Sequence, residues 1–197
     1  MSDLETLSVY AKQAADYAAL TDKEATADPA LERFISRAPK GGRVLDLGCG
    51  PGTSAGQMAA AGLLAEAWDP VPEMLELAAR FPDVTTRKAG FDDLTDENVY
   101  DGIWANFSML HTPRLQWPVQ LEAVARALQP NGLFHIGTKL GSGEERDSIG
   151  RLYTYVSEDE LTGLLRAAGL EPEFTARGRG KGLSGEMADW IVVQAHG

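Results

Sequence analysis

Gly48, Gly50 and Gly52 alternate along a turn that follows the apolar run Val44-Leu45-Asp46-Leu47 and leads into a helical segment at Thr53. Glycines at a strand-to-helix turn let the backbone approach a ligand closely, and the free amides at the helix start favour a negative group there. Two acids bracket the turn. Asp46 stands just ahead of the first glycine. Asp69 lies roughly 20 residues beyond the second, the usual offset for a carboxylate that accepts hydrogen bonds from ribose hydroxyls. Asp69 is also placed to cap a helix starting near Val71, and the two roles are compatible. His111 offers a group whose ordinary pKa suits a general base, with a loop hydrogen bond as its plainer use. Lys139, Arg146, Arg151 and Lys181, with Tyr153 and Tyr155, form a second set later in the chain.

Alternating strands and helices must position these residues. Leu7, Tyr10, Ala14 and Tyr17 recur at helical spacing, so the N-terminus reads as an amphipathic helix, and the polar stretch from Thr21 to Ala27 as a loop. Asp28-Pro29 reads as an N-cap and first helical position for a helix with Leu31, Phe34 and Ile35 as its apolar face. Pro39-Lys40-Gly41-Gly42 then releases the chain. Strands are predicted over residues 43–47, 64–68, 84–87, 100–105, 133–138, 171–176 and 189–194, with helices over 53–61, 71–80 and 117–128. A further helix starts at the capping box Ser157-Glu158-Asp159-Glu160 and ends at Gly169. The last two strands flank a loop rich in glycine and basic residues. Repeated βα units call for a mostly parallel sheet with helices on both faces. The glycine turn and Asp69 then lie at the carboxyl ends of strands, where open α/β sheets bind ligands.

The 197 residues, 44% hydrophobic, suit one compact domain spanning 1–197 and leave no room for a second substrate domain. A net charge of −11 gives no overall basic field, so no nucleic-acid partner is expected. The acidic start lacks the pattern of a secretory signal, and no apolar run approaches a membrane span. The single cysteine, Cys49, cannot form an internal disulfide and fits a reducing compartment. A cytoplasmic protein with no membrane partner and no metal is the expectation.

Two ligand classes compete for the glycine turn. A dinucleotide fingerprint wants G-x-G-x-x-G, and its third position here is Thr53. Asp46 is awkward beside a pyrophosphate but reasonable near the ammonium of a methionine moiety, which favours S-adenosyl-L-methionine. Val44-Leu45-Asp46-Leu47-Gly48-Cys49-Gly50-Pro51-Gly52-Thr53 resembles motif I of the class I S-adenosylmethionine-dependent methyltransferases. Asp69-Pro70-Val71-Pro72-Glu73-Met74-Leu75 resembles their second motif, and Gly90-Phe91-Asp92-Asp93-Leu94 the segment that brackets adenine. Tyr100 to Asn106 resembles their fourth strand, and Leu128-Gln129-Pro130-Asn131-Gly132 the turn before the fifth, with Leu133 where a second glycine is usual. The resemblance implies a Rossmann-like α/β fold with a seven-stranded sheet of order 3-2-1-4-5-7-6. It also implies an N-terminal helical segment, 1–40, covering the cofactor site. By the same resemblance Asp46, Gly48, Cys49 and Gly50 meet the methionine end of the cofactor and Asp69 and Pro70 the ribose side. Met74, Phe91 and Asp92 surround adenine, Asn106 approaches the methionine moiety, and Tyr17 or Tyr10 closes over the site. The implied reaction is methyl transfer, with S-adenosyl-L-homocysteine as product. A nicotinamide-dependent oxidoreductase and a non-catalytic S-adenosylmethionine-binding module are the alternatives.

Methyl transfer from a sulfonium needs alignment and dryness more than a base. Absences narrow the acceptor. Asn106-Phe107-Ser108-Met109 is not the Asn/Asp-Pro-Pro-aromatic motif of amino-methylating nucleic-acid and glutamine enzymes. The lack of cysteines besides Cys49 argues against pyrimidine-ring attack and against arsenite. A small-molecule substrate is expected. Lys139, Arg146, Arg151 and Lys181, with Arg177 and Arg179 nearby, converge on one mouth of an acidic protein, which suits a carboxylate or phosphate; solvated loop charge is the plainer reading. Tyr153 and Tyr155 wall that pocket or pack beneath its loop. His111, where the resembled family often carries a histidine, is the candidate catalytic base.

Overall fold

The computed structural model describes residues 3–24 and 28–197, with backbone alone for 22–24. Helices α1 (Leu4–Lys12), α2 (Ala14–Glu24) and α3 (Pro29–Arg37) come first. Asp3 caps α1 by accepting from the Thr6 amide at 2.9 Å, and Asp28 caps α3 by accepting from the Ala30 and Leu31 amides at 2.9 and 3.2 Å. Ala38 ends α3 at φ −64°, ψ 141°, the extended geometry that the following Pro39 imposes. The expected single N-terminal helix is two, broken at Gln13, and α2 continues through Thr21 to Glu24 where a loop was expected. Thr21 is accommodated within the helix, its hydroxyl donating to the Tyr17 and Ala18 carbonyls, both at 3.1 Å. Residues 25–27 of that expected loop lie outside the described residues.

The chain then alternates through β1 (Arg43–Leu47), α4 (Thr53–Ala60), β2 (Leu64–Asp69), α5 (Pro72–Ala78), β3 (Val84–Lys88), β4 (Tyr100–Asn106), α6 (Trp117–Ala127) and β5 (Leu128–Lys139). A short hairpin of β6 (Glu144–Arg146) and β7 (Leu152–Thr154) precedes α7 (Glu158–Ala167), β8 (Glu171–Lys181) and β9 (Met187–His196). The main sheet has seven strands in the order β3-β2-β1-β4-β5-β9-β8. Since β6 and β7 pair only with each other, counting the main sheet alone gives the expected 3-2-1-4-5-7-6. Strands β1 to β5 are parallel and β9 is antiparallel to both neighbours. β8 therefore runs the same way as β5, and its C-terminal end reaches the same edge as the glycine turn. This is a Rossmann-like, doubly wound α/β fold.

One face of the sheet buries Leu45, Ile103, Phe134 and Ile191 against α6 and α7. The other buries Val44, Trp104 and Leu133 against α3, chiefly Leu31 and Phe34. Each such side chain contributes about 1.5–3 kcal/mol relative to exposure. The largest departure from expectation is at the end of the chain. Arg177 to Lys181 are not loop: β8 runs to Lys181 and β9 starts at Met187. The segment alternates, with Thr175, Arg177 and Arg179 outward and Phe174, Ala176, Gly178 and Gly180 inward. The glycines are where the Trp190 ring lies, so a composition that reads as loop forms a strand. At Ser157 only half of the capping box forms: Ser157 Oγ accepts from the Glu160 amide at 3.1 Å, while the Glu160 carboxylate pairs with Arg114.

Candidate active site

The turn after β1 is built by glycines for a steric reason. Gly48 has φ +77°, and a Cβ there would sit 2.3 Å from Ser108 Cβ. Gly50 has φ +52°, and a Cβ there would meet the Tyr17 ring at 3.3 Å, so Tyr17 of α2 lies directly over the turn. Asp46 Oδ2 accepts from the Ala55 amide at 3.1 Å, across the start of α4. Asp69 Oδ2 accepts from the Gly50 amide and Oδ1 from the Val71 amide, each at 2.9 Å, which ties the end of β2 to the turn after β1. Both acids are buried and neither has an ion pair among the described residues. Burial pushes the Asp46 carboxyl up to about 8, opposed by the Ala55 amide and reinforced by Asp69. Burial likewise pushes Asp69 up to about 6, opposed by its two amide bonds. Buried carboxyls with strongly shifted pKa values cluster at functional sites, which makes this pair a candidate one.

These residues border a cavity of about 640 Å³ at the carboxyl edge of the sheet. Of the expected cofactor residues, Tyr17, Asp46, Gly48, Cys49, Gly50, Asp69, Pro70, Met74, Phe91 and Asn106 line it. Asp92 does not: it is exposed beside buried Phe91 and accepts from Gln120 Nε2 at 3.2 Å. Asn106 is fixed from behind, its Oδ1 accepting from His135 Nε2 at 3.1 Å. His135 is wholly buried and stacked on Trp104, centroids 3.5 Å apart, and burial drives its pKa well below the usual value, so it is a neutral donor.

His111 borders the cavity in a closed hydrogen-bond chain. Its Nδ1 donates to the Leu152 carbonyl at 2.7 Å, which leaves Nε2 to accept from the Tyr10 hydroxyl at 2.8 Å. Arg151 Nη1 in turn donates to Tyr10 Oη at 2.8 Å. Burial first, then the charges of Arg151 and Lys139, push the His111 pKa down from the near-neutral value expected of it to about 3, against the Leu152 carbonyl. A neutral acceptor with its lone pair aimed at Tyr10 is the resulting state.

The basic set divides. Arg151 lines the cavity but is buried against Asp147 at 2.7 Å, so its charge is already met. Arg146 leaves the cavity altogether: it holds Asp3 at 2.8 Å and Glu5 at 3.2 Å, fastening α1, and keeps the Asp3 carboxyl well below the usual range. Arg177 pairs with Glu158 and Arg179 lies 3.6 Å from Asp189. Lys139 and Lys181 line the cavity without an ion pair among the described residues, Lys139 Nζ lying 3.8 Å above the Tyr153 ring. Tyr153 lines the cavity; Tyr155 does not, lying behind Tyr153 with ring centroids 6.0 Å apart. Trp104, Phe107, Phe174 and Trp190, which no sequence motif marks as site residues, also line it. Trp104 is the register partner of Asp46 on β4, so it follows, like Phe174 and Trp190, only from strand pairing, and Phe107 depends in addition on one reversed backbone angle.

A family model described as methyltransferase domain matches residues 20–173. A 27-O-demethylrifamycin SV methyltransferase of Amycolatopsis mediterranei (strain S699) is 30% identical in an alignment 183 positions long that covers 77% of this chain. The chain spans 64% of the length of that curated relative. Among solved structures, the Burkholderia thailandensis 1,6-didemethyltoxoflavin-N1-methyltransferase with bound 1,6-didemethyltoxoflavin and S-adenosylhomocysteine matches with a TM-score of 0.72 at 24% identity, over 96% of this chain and 87% of that one. An S-adenosylmethionine-dependent methyltransferase of Leishmania major matches with a TM-score of 0.76 at 20% identity, over 98% of this chain and 81% of that one. Both share the fold of this chain.

Proposed function

The chain belongs to the methyltransferase-domain family, that of the class I S-adenosylmethionine-dependent methyltransferases, and from that premise we propose that it transfers a methyl group from S-adenosyl-L-methionine to a small molecule, releasing S-adenosyl-L-homocysteine. The observation that carries this reading is the pair of buried carboxyls, Asp46 and Asp69, set around a glycine turn with no ion pair to satisfy them among the described residues. An ammonium suits Asp46, whose ionised form it favours, and ribose hydroxyls suit Asp69, whereas a pyrophosphate at the same turn would only oppose ionisation of Asp46. The residues present therefore fit the cofactor. Met74 and Phe91 would flank adenine, Asn106 would meet the methionine end, and Tyr17 would cover the turn.

When bound, S-adenosylmethionine supplies a methyl group already activated for in-line displacement. The protein's share is alignment and exclusion of water. His111 presents a fixed acceptor lone pair at Nε2, on which an acceptor hydroxyl or amine of the substrate would replace the Tyr10 hydroxyl. With a pKa near 3, it orients the nucleophile rather than storing its proton. Lys139 and Lys181 are left to meet an anionic group on the substrate. The relative acting on a demethylrifamycin and the neighbour holding a demethyltoxoflavin support a small-molecule acceptor. A pocket that only sensed the cofactor would need no space beyond it, yet this cavity runs on from Asn106 to Phe174 and Trp190.

Thermal unfolding with S-adenosylhomocysteine and with NAD tests the cofactor, and transfer of labelled methyl to metabolite extracts tests the reaction. Stabilisation by NAD alone overturns the assignment; stabilisation by S-adenosylhomocysteine with no labelled product in any extract overturns the catalytic part.

A further inference from the structure

We propose that the part of the cavity beyond Asn106 is a slot for a planar, conjugated acceptor; this rests on the methyl-transfer reading above and names the substrate class it would serve. Strand register defines the floor. Gly137, Val192 and Ala176 lie abreast on β5, β9 and β8, so a strip with no side chain larger than valine crosses the sheet. At its near end the Asn106 side chain lies over Gly137, where a Cβ would come 2.2 Å from Asn106 Oδ1.

Two residues toward the bottom of the sheet, the next row reads Trp104, His135, Gln194 and Phe174. Two residues toward the open edge, the row reads Lys139, Trp190 and Gly178. Phe174 and Trp190 thus stand on rows four residues apart, about 13 Å along the strands, with the low strip between them. Trp190 is laid flat because β8 is glycine beneath it: a Cβ at Gly178 would lie 2.2 Å from the indole ring. Phe107 completes that wall. Its φ of +53° is a left-handed value that a bulky residue rarely adopts, held by its amide donating to the Gly137 carbonyl at 2.9 Å. The ring stands perpendicular to Trp190, centroids 6.5 Å apart.

Phe107, Phe174 and Trp190 are each only half-buried and each lines the cavity, so aromatic faces border an opening rather than a filled core. Such walls favour a flat π-system over a saturated one of equal size. Lys139 and Lys181 sit at the open end, which adds a preference for a carboxylate on the ring.

The probes are 2-naphthoate and its saturated analogue decahydro-2-naphthoate, titrated by calorimetry into the full chain loaded with S-adenosylhomocysteine. The planar acid is expected to bind at least tenfold more tightly. In Phe174→Leu and in Trp190→Leu the ratio is expected to fall below threefold, with affinity for S-adenosylhomocysteine unchanged as proof that each variant is folded. Equal affinities, no binding of 2-naphthoate to the loaded protein, or a ratio untouched by both substitutions would overturn the slot. Failure of the wild type to bind S-adenosylhomocysteine at all would instead overturn the methyltransferase reading beneath it.

Discussion

At His111 the hydrogen-bond chain decides what the side chain can do. Its Nδ1 proton is committed to Leu152 and its Nε2 accepts from Tyr10, so the ring is neutral and rigidly oriented. His111→Ala removes the oriented acceptor and is expected to lower kcat at saturating cofactor by about a hundredfold, with partial recovery in His111→Gln, which restores an acceptor. Because burial holds its pKa near 3, the wild-type rate profile is expected to show no inflection near pH 6.5 that His111→Ala abolishes. Such an inflection would mean that the ring titrates freely during turnover. The lysines make a separate claim. Arg146 and Arg151 are neutralised by Asp3 and Asp147, so charge selectivity falls to Lys139 and Lys181. Lys181→Glu is expected to weaken binding of a carboxylate probe about tenfold or more while leaving its neutral amide unaffected; equal loss for both would assign Lys181 to packing.

At the scale of elements, glycine placement in β8 and α7 makes opposite forecasts. A side chain at Gly178 has nowhere to go, since its Cβ would meet the Trp190 ring at 2.2 Å. Gly178→Val is expected to cost about 1–3 kcal/mol, a fall in Tm of about 2–12 °C for a chain of this size. Gly163 sits within α7 with no atom within 4 Å of its would-be Cβ, and Gly163→Ala is expected to stabilise by about 0.5–1 kcal/mol. A stable Gly178→Val protein would show that Trp190 does not lie where the register puts it. These elements also divide what the sequence discloses from what it hides. The glycine turn, Asp46 and Asp69 are legible because a strand, a turn and a helix start are local and each has its own residue signature. Arg146 was not legible as a tether of α1, because Asp3 lies 143 positions away and only the fold brings them together. The β8 extension was hidden for another reason: glycine and arginine in alternation read as loop by composition, and only the strand period of two separates an inner face that receives Trp190 from an outer one in solvent. Phe107 has no signature at all, because its reversed φ is imposed by the Gly137 carbonyl on the neighbouring strand.

For the whole molecule, the buried acids tie ligand binding, folding and pH together. Asp46 has a folded pKa of about 8 against an ordinary 3.8, so between these values the native state holds a proton that the unfolded chain lacks. Stability from a raised acid is complete below the unfolded value and is lost as pH rises through the folded one. Asp69, near 6, loses its share earlier. His111 acts in the opposite sense: its depressed pKa of about 3 against 6.5 removes stability as pH falls below 6.5, and His135, also depressed, has the same sign. Among these displaced acids and histidines, only Asp46 is left to act between about pH 6.5 and 8. The ligand-free protein is therefore expected to lose stability across that window with a slope of up to about 1.4 kcal/mol per pH unit. An ammonium bound beside Asp46 favours its ionised form, so the stabilisation given by S-adenosylhomocysteine is expected to grow with pH over the same window, its affinity rising by up to about tenfold per unit. Asp46→Asn carries no proton to lose, and it should flatten both dependences together. Denaturant unfolding at pH 6.5, 7.2 and 8.0, with and without S-adenosylhomocysteine, measures the two slopes on one protein. Wild-type slopes of zero would mean that Asp46 is already ionised in the free protein, and that a charge of the protein, not of the ligand, answers it.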